Sequence, residues 1–520
     1  WELIQYDISF QFRDEGGAFP EGTEVPRKYT VEDKFELPTP VKKGYIFRGW
    51  YLDIAFQNGP YTKLELGSTT HREYRPKWEA EASEITFEDP NGVLDSVPAT
   101  LVYTAGTTTL TDGTVKDSGN AFLYWYTTDG GTETPLYKVP TGTVGKLTVY
   151  PKVINRSITG PEQLAALAAC YQYKSAQSGA QFTLGSNIDL ENWSTPIGTA
   201  DHSFDRTFSG SSGKYITLSG TAQPLFGVVD KSGKVADLTV YLSNVTASPA
   251  QGFSSWGAVA CENHGTIEGC TVYGEVTGDP SLSALGGITG INTRKDNTYD
   301  EPGSIVNCGA GIGAKEGERL VINFTGDSEA GGLMGTNVGT VTLNAALKHY
   351  VTITTNACDV GGLIGRVIRS DGKDPITVTG NEIDAVITQT ASSGSPMASG
   401  IGGLIGQIDG DSSDTSSTTV ECSNTRITCV LKVESWNNAP VGGVVGLIDG
   451  VVGSPIKIVG TGNTVTGTIS CPSTTVGKIT GFVRKGVHMN GTALSSGKDI
   501  DVAASGWNTS GLTGPAHDVG

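Results

Sequence analysis

Apolar and polar residues alternate along most of the chain in short runs punctuated by Gly, Ser, Thr, Asn and Pro, a period of two that predicts strands. The first such run is Tyr6-Asp7-Ile8-Ser9-Phe10-Gln11-Phe12, with one apolar face. Gly16-Gly17 is expected to turn the chain, and Leu37-Pro38-Thr39-Pro40 is an extended stretch that proline keeps out of a central strand. Lys43-Gly44-Tyr45-Ile46-Phe47-Arg48-Gly49-Trp50-Tyr51 follows, and a last strand ends near Trp78. A segment this short cannot build a thick core, so large aromatics must supply the burial. Phe47, Trp50 and Trp78 are the expected core. Residues 84–153 repeat the plan more loosely, after a short linker from Glu79 to Ser83. Ile85-Thr86-Phe87 matches the first strand, Phe122-Leu123-Tyr124-Trp125-Tyr126 the aromatic centre and Leu147-Thr148-Val149-Tyr150 the last strand. The glycines of Gly44-Tyr45 and Gly49-Trp50 have no counterpart in this second copy.

The period changes once. Thr159-Gly160-Pro161-Glu162 reads as a helix start with a Thr N-cap and proline in the first turn. Leu164, Leu167, Ala168 and Tyr171 then share one face at helical spacing. A short phrase recurs beyond it: Gly257-Ala258-Val259-Ala260, Gly286-Gly287-Ile288-Thr289-Gly290, Gly331-Gly332-Leu333-Met334-Gly335, Gly361-Gly362-Leu363-Ile364-Gly365, Gly402-Gly403-Leu404-Ile405-Gly406 and Gly442-Gly443-Val444-Val445-Gly446. The spacings are 29, 45, 30, 41 and 40 residues. A fixed phrase with variable filler predicts stacked coils carrying loop insertions, capped by the helix at the open first coil. Its apolar residues are expected to alternate inward, and its glycines to sit at corners where a Cβ would clash. Asn263, Asn292 and Asn337 share the position six after the first Gly, which predicts a ladder of stacked amides. The later three copies lack this Asn, so the ladder should stop there. Leu225-Phe226-Gly227-Val228-Val229 and Gly481-Phe482-Val483 read as degenerate first and last members.

The segment 3–79, through Gly44-Tyr45-x-Phe47-x-Gly49-Trp50-Tyr51 and Lys77-Trp78, resembles the internalin-type B repeat, also called the Listeria-Bacteroides repeat, a small β-grasp-like module of bacterial surface proteins. The glycine phrase, with Asn263-His264-Gly265-Thr266-Ile267 and Asn337-Val338-Gly339-Thr340-Val341, resembles the GLUG repeat of bacterial surface and secreted proteins over residues 157–485. The opening coils of such a region are matched by Phe182-Thr183-Leu184, Ile188-Asp189-Leu190, Trp193, Pro196-Ile197-Gly198 and Phe208-Ser209-Gly210. The expected fold is all-β: two small β-grasp-like modules (residues 1–80 and 84–153), then a right-handed parallel β-helix (residues 157–520) with a short N-terminal capping helix. Tandem repeats of this type imply a stalk or spacer.

Composition narrows the function. The 520 residues include 71 glycines, which suits strands and turns, and the formal net charge is −18. An acidic surface repels phosphate backbones and anionic headgroups, arguing against nucleic-acid and membrane-surface partners. No apolar run is long enough to span a bilayer. The chain opens at Trp1 without a basic-then-apolar leader and reads as a mature or excised fragment. The eight cysteines begin at Cys170 and form no C-x-x-C pair, so zinc ribbons and thioredoxin-like chemistry are unsupported. Buried core thiols are the first reading; Cys261–Cys270 and Cys422–Cys429 are the nearest disulfide candidates.

Site chemistry is sparse. Asp409-Gly410-Asp411-Ser412-Ser413-Asp414 is the densest acidic stretch, but it lacks the distal Glu of a calcium loop and reads as a solvated turn. The six histidines form no zinc-hydrolase motif, no strand-to-helix Gly-x-Ser-x-Gly occurs, and the glycine phrase opens no helix that could hold phosphate. No catalytic, cofactor-binding or metal-ligating residue is assigned, and no cofactor is implied. The expectation is a non-catalytic cell-surface or extracellular protein, an adhesin or stalk and envelope-structural module, recognising a host or microbial glycan or protein. The alternatives are a carbohydrate-active solenoid, with inserted loops near residues 291–304 and 367–375 walling a groove, and an accessory region of a larger secreted enzyme. Residues 486–520 read as a weak cap, a final coil or a truncated edge, and an uncapped end leaves end-to-end assembly open.

Overall fold

The computed structural model describes residues 2–12, 17–104, 108–140, 143–249, 252–293, 302–326, 328–356, 359–368, 376–390, 400–409, 418–434, 440–449, 456–471, 476–484, 502–504 and 507–514. The turn expected at Gly16 lies partly outside these, as do most of residues 486–520. The chain divides into two compact units, residues 1–118 with 122–153 and residues 119–121 with 154–520.

In the first unit, the opening repeat forms a four-stranded sheet in the order Lys28–Tyr29, Tyr6–Phe10, Arg72–Ala80, Tyr45–Tyr51. Its central pair is parallel and its outer pairs are antiparallel. The second repeat uses the same plan. Ser83–Phe87 lies parallel to Leu147–Asn155 and antiparallel to Leu101–Tyr103, with Asn120–Asp129 on the far side and Thr132–Leu136 added outside it. Only Glu81 and Ala82 separate the last strand of one copy from the first strand of the next, so the linker is shorter than the sequence suggests.

The two aromatic centres coincide in geometry. The Trp50 indole donates to Pro38 O at 2.9 Å and the Trp125 indole to Thr111 O at 2.8 Å. Phe47 packs edge-on to Trp50 and Phe122 to Trp125, each at 5.3 Å between ring centroids. Phe10 lies 4.7 Å from Trp50, and Phe87 lies 4.8 Å from Trp125. Each indole thus has its N–H satisfied while its rings bury apolar area. Trp50 is fully buried, whereas Phe47 and Trp78 are only partly so; Ile8, Tyr29, Leu37, Leu64 and Tyr74 complete that core. Gly49 has a positive φ of 112° at a bulge in its strand. Tyr124, its counterpart, needs no left-handed backbone, which explains how the second copy dispenses with the glycine.

The second unit is a parallel β-helix with four sheets. Sheets 1 and 2 run the length of the coils; sheets 3 and 4 begin later, with Ser255–Gly257 and Phe226–Val229. From Lys234 to Arg484 the coils visit sheets 1, 2, 3 and 4 in turn, and Thr266–Glu268, Thr271–Gly278, Ala284–Gly286 and Thr289–Asn292 pair in parallel with the coil before. The helix Pro161–Tyr171 follows the first strand of sheet 1, Ser157–Ile158, and buries Leu164, Leu167, Ala168 and Tyr171 as expected. Its N-cap, however, is Gly160 and not Thr159. Thr159 instead donates from its backbone N and its hydroxyl to Gln163 Oε1, at 2.7 and 3.0 Å.

The glycine phrase is the corner between sheets 3 and 4, and each of its glycines has a separate steric reason. A Cβ on Gly361 would lie 2.7 Å from Gly406 N of the following coil, and one on Gly365 would lie 2.8 Å from Ala330 N of the preceding coil. A Cβ on Gly362 would collide with the carbonyl oxygen of Gly403. The backbones of sheets 3 and 4 therefore touch through two rows of glycines, a close approach that any side chain forbids. Leu363 and Ile364 are both buried. The apolar residues do not alternate here, because the corner turns both of them into the core.

The asparagine ladder is present. Asn263 Nδ2 donates to Asn292 Oδ1 and Asn292 Nδ2 to Asn337 Oδ1, each at 2.8 Å. In register, Val229 precedes the ladder and Val367 follows it. Cys261, Cys270, Cys422 and Cys429 are buried free thiols, so neither Cys261–Cys270 nor Cys422–Cys429 is a disulfide. Cys270 and Cys308 sit at equivalent positions of adjacent coils, one residue before the paired Thr271 and Gly309.

Candidate functional site

Among the described residues, a recess lies on the outer face of sheet 2. Strand alternation points Lys348, Tyr350, Glu382, Asp384, Arg426 and Thr428 outward, while His349, Ile383 and Ile427 point into the core. Parallel register stacks Lys348, Glu382 and Arg426 in one row and Tyr350, Asp384 and Thr428 in the next. The two rows line an open recess of ≈ 340 Å³.

An insertion, residues 311–319, contacts two of the lining residues, Tyr350 and Asp384; it leaves sheet 2 between Ala310 and Leu320 while both flanking segments pair with the same strand, Thr271–Gly278. Gly311 starts it at a positive φ of 79°, with its Cα pressed against the Tyr350 backbone so closely that a Cβ would strike Tyr350 O. Ile312 N donates to Glu318 O at 2.7 Å, closing the loop on itself. Arg319 ends it. Its guanidinium donates to Thr352 Oγ1 at 2.9 Å, Val351 O at 2.7 Å, Asp384 O at 3.0 Å and Asp384 Oδ1 at 3.1 Å.

The electrostatics of the recess are set by pairing. Lys348 Nζ lies 2.8 Å from Glu382 Oε2, and Arg426 Nη1 lies 3.5 Å from Glu382 Oε1. The Lys348 hydrogen bond holds the Glu382 carboxyl below its ordinary range and, reciprocally, holds the ammonium above its own. Glu382 thus stays ionised at neutral pH, which suits a hydrogen-bond acceptor and not a proton donor.

His349 lies beneath the recess, and burial pushes its imidazole down to about 4. Asn381 Nδ2 donates to Leu343 O and Thr379 O, both at 2.8 Å, which fixes its Oδ1 as the acceptor facing His349 Nε2 at 3.1 Å. Nε2 therefore carries the proton, and Nδ1 accepts the Ala310 N–H at 3.4 Å. The ring is a neutral, fully buried structural link.

A second charged cluster joins sheets 3 and 4. Arg366 donates to Glu329 Oε1 at 3.0 Å and to Asp409 Oδ2 at 2.6 Å, with Asp359 Oδ2 at 4.0 Å. Asp359 also accepts Gly400 N at 2.9 Å, and burial pushes its carboxyl up to about 8. Asp409, the first residue of the acidic run, is thus committed to an arginine; residues 410–414 of that run lie outside the described residues. Among the described residues no cluster of His, Cys, Asp and Glu could hold a metal ion, and no helix is long and apolar enough to cross a membrane.

The insertions expected to wall a groove fall largely outside the described residues, at 294–301 and 369–375. Sequence reasoning missed the insertion at 311–319. Its signal was the pairing of Gly311 and Gly313 with a charged stretch ending in Arg319, inside the long 45-residue spacing.

Comparison with known proteins agrees with the repeats. A stretch of 152 residues, 29% of this chain, is 28% identical to a protein of Evansella cellulosilytica provisionally named a Gly-rich membrane protein, and it spans only 16% of that protein's length. Among solved structures, the chain is similar to a provisionally identified immunoglobulin A1 protease from Bacteroides ovatus, at 16% identity and a TM-score of 0.30, over 70% of this chain and 84% of that one. Residues 6–70 and 84–152 each match the family model of the Listeria-Bacteroides repeat domain. This chain carries two Listeria-Bacteroides repeat domains, a repeat family typical of bacterial surface proteins, ahead of a parallel β-helix.

Proposed function

We propose that this chain is a non-catalytic, extracellular part of a bacterial surface protein, with the two repeats serving as a spacer and the β-helix as an adhesive surface. The observation that carries the reading is the recess on sheet 2, where both carboxylates are ion-paired with cations. Such a site offers fixed donors and acceptors to a ligand. Glu382 is held ionised by Lys348 and Asp384 is bound by Arg319, so neither stands as an unpaired base.

The test is a glycan and host-matrix array probed with the whole chain, with the bound glycans analysed for cleavage by mass spectrometry. Retention of intact ligand supports adhesion. Silence across the array favours a purely structural role in the envelope.

A second reading, a carbohydrate-cleaving solenoid, draws on Glu382 and Asp384, two outward carboxylates separated by one residue on a strand. Glycoside hydrolysis uses such a pair, but it requires one of them to be protonated. The Lys348 hydrogen bond drives Glu382 the other way. Cleaved products in the same assay would favour this reading.

A further inference from the structure

We propose that the recess on sheet 2 binds the carboxylate of a single acidic sugar at the end of an otherwise neutral glycan, an assignment that rests on the adhesive reading above. The charged groups lining the recess are Lys348 and Arg426 against Glu382 and Asp384; Asp384 is matched by Arg319, which lies outside the lining, so Lys348 and Arg426 share the single carboxylate of Glu382 and one cation of this ion-pair network is in excess. This excess is local, because the chain as a whole carries −18. The long-range field repels a polyanion, while a single carboxylate meets the recess within a screening length, about 8 Å at physiological salt.

Arg426 is the group placed to receive it. Its side chain is 70% exposed, and its contact with Glu382 is a single one of 3.5 Å, which leaves the rest of the guanidinium fork facing solvent. A planar fork takes a carboxylate through two parallel hydrogen bonds. Arg319, by contrast, is spent on the loop and on Asp384. Lys348, already bonded to Glu382, adds a second positive charge on the same row.

The remaining lining argues for a sugar over a peptide. Tyr350 and Thr428 present hydroxyls, Asp384 and Glu382 present acceptors, and the apolar members, His349 apart, reduce to Ile383, which is buried beneath. A peptide side chain would find little apolar area to bury there. A polyhydroxylated ring finds both donors and acceptors.

The experiment uses the full chain and titrates sialyllactose, with lactose as the neutral control, by calorimetry or saturation-transfer NMR in 0.15 M salt. Binding of sialyllactose without binding of lactose is expected. R426Q should weaken it roughly tenfold, the usual worth of a hydrogen bond to a charged group. E382Q should tighten it, because the carboxylate competing for Lys348 and Arg426 is gone. Circular dichroism confirms that each variant is folded. Equal binding of both sugars, an unchanged R426Q, or an E382Q no tighter than the parent would each overturn the assignment. The adhesive reading fails separately, if the probe is cleaved; binding of a neutral glycan or a protein elsewhere sinks the recess assignment while that reading stands.

Discussion

Asn292 Nδ2 donates to Asn337 Oδ1 at 2.8 Å although 45 residues separate them, and Asn292 Oδ1 receives Asn263 Nδ2 at the same distance. Asn292 also donates to Thr340 O at 3.2 Å. It is therefore the middle rung of a buried chain in which each amide satisfies its neighbour, and its loss strands groups on both sides. Asn292→Ala should cost about 1–3 kcal/mol, the range for buried polar groups left unpaired. Asn337→Ala, at the ladder's end, should cost less. Thermal melts of the two variants side by side check the order; a reversed order would mean the ladder is not the cooperative unit.

Glycine substitutions divide by what a Cβ would meet. Gly362→Ala places a methyl group against Gly403 O, in a corner where both partners are backbone and neither can move aside. Gly213 has a positive φ of 72° but open space around it. Gly213→Ala should cost about 1 kcal/mol, from backbone strain alone, and Gly362→Ala considerably more, from overpacking added to a displaced strand. Denaturant midpoints of the two variants measure the difference, and equal values would remove the steric account of the phrase.

Two buried groups give opposite pH dependences. His349 has its pKa pushed down to about 4 in the folded chain, against an ordinary 6.5. Between those values the unfolded chain binds a proton that the folded chain refuses, so stability falls as pH drops from about 6.5 towards 4, by about 3 kcal/mol in full. Protonation would also turn Nδ1 into a donor facing the Ala310 N–H. Asp359 has its pKa pushed up to about 8 from 3.8. There the folded chain holds the proton, so stability contributed by this group is lost as pH rises through about 8. Asp359→Asn should remove the fall in stability that this group imposes between about pH 4 and 8, which denaturant midpoints across that range measure.

The two aromatic centres predict equal sensitivity. Trp50→Ala and Trp125→Ala each remove a buried indole and leave a carbonyl, Pro38 O or Thr111 O, without its donor. Each should cost about 3–5 kcal/mol. A tryptophan fluorescence melt that reports one repeat unfolding well before the other would show that the divergent copy is not the energetic equal of the first.

Much of this was legible in the sequence, because solenoid coils write their geometry at fixed positions. The first Gly of each phrase marks the last residue of sheet 3, and Asn263, Asn292 and Asn337 stack as their shared offset requires. Phe122 and Trp125 could be matched to Phe47 and Trp50 despite the missing glycines, since aromatic spacing constrains a small core more tightly than turn residues do. The recess was not legible. Lys348, Glu382 and Arg426 are 34 and 44 residues apart in sequence, and only the register between coils of unequal length brings them into one row. The loop 311–319 resembled ordinary filler, and the cation that fixes it, Arg319, carries no motif. Reading alternation through the corner also misplaced Leu363 and Ile364, because local pattern does not show where a strand bends.

The glycine contact between sheets 3 and 4 divides the molecule into a side that cannot vary and a side that can. On that edge every position is read by the backbone of the coil before or after it, so a change in one coil is felt by its neighbours. The outer rows of sheet 2 carry no such constraint. The insertion at residues 311–319 shows that a coil can gain a loop there while its flanking strands keep register. New recognition surfaces can therefore accumulate coil by coil on one face, on a scaffold whose opposite edge is held constant by the absence of side chains.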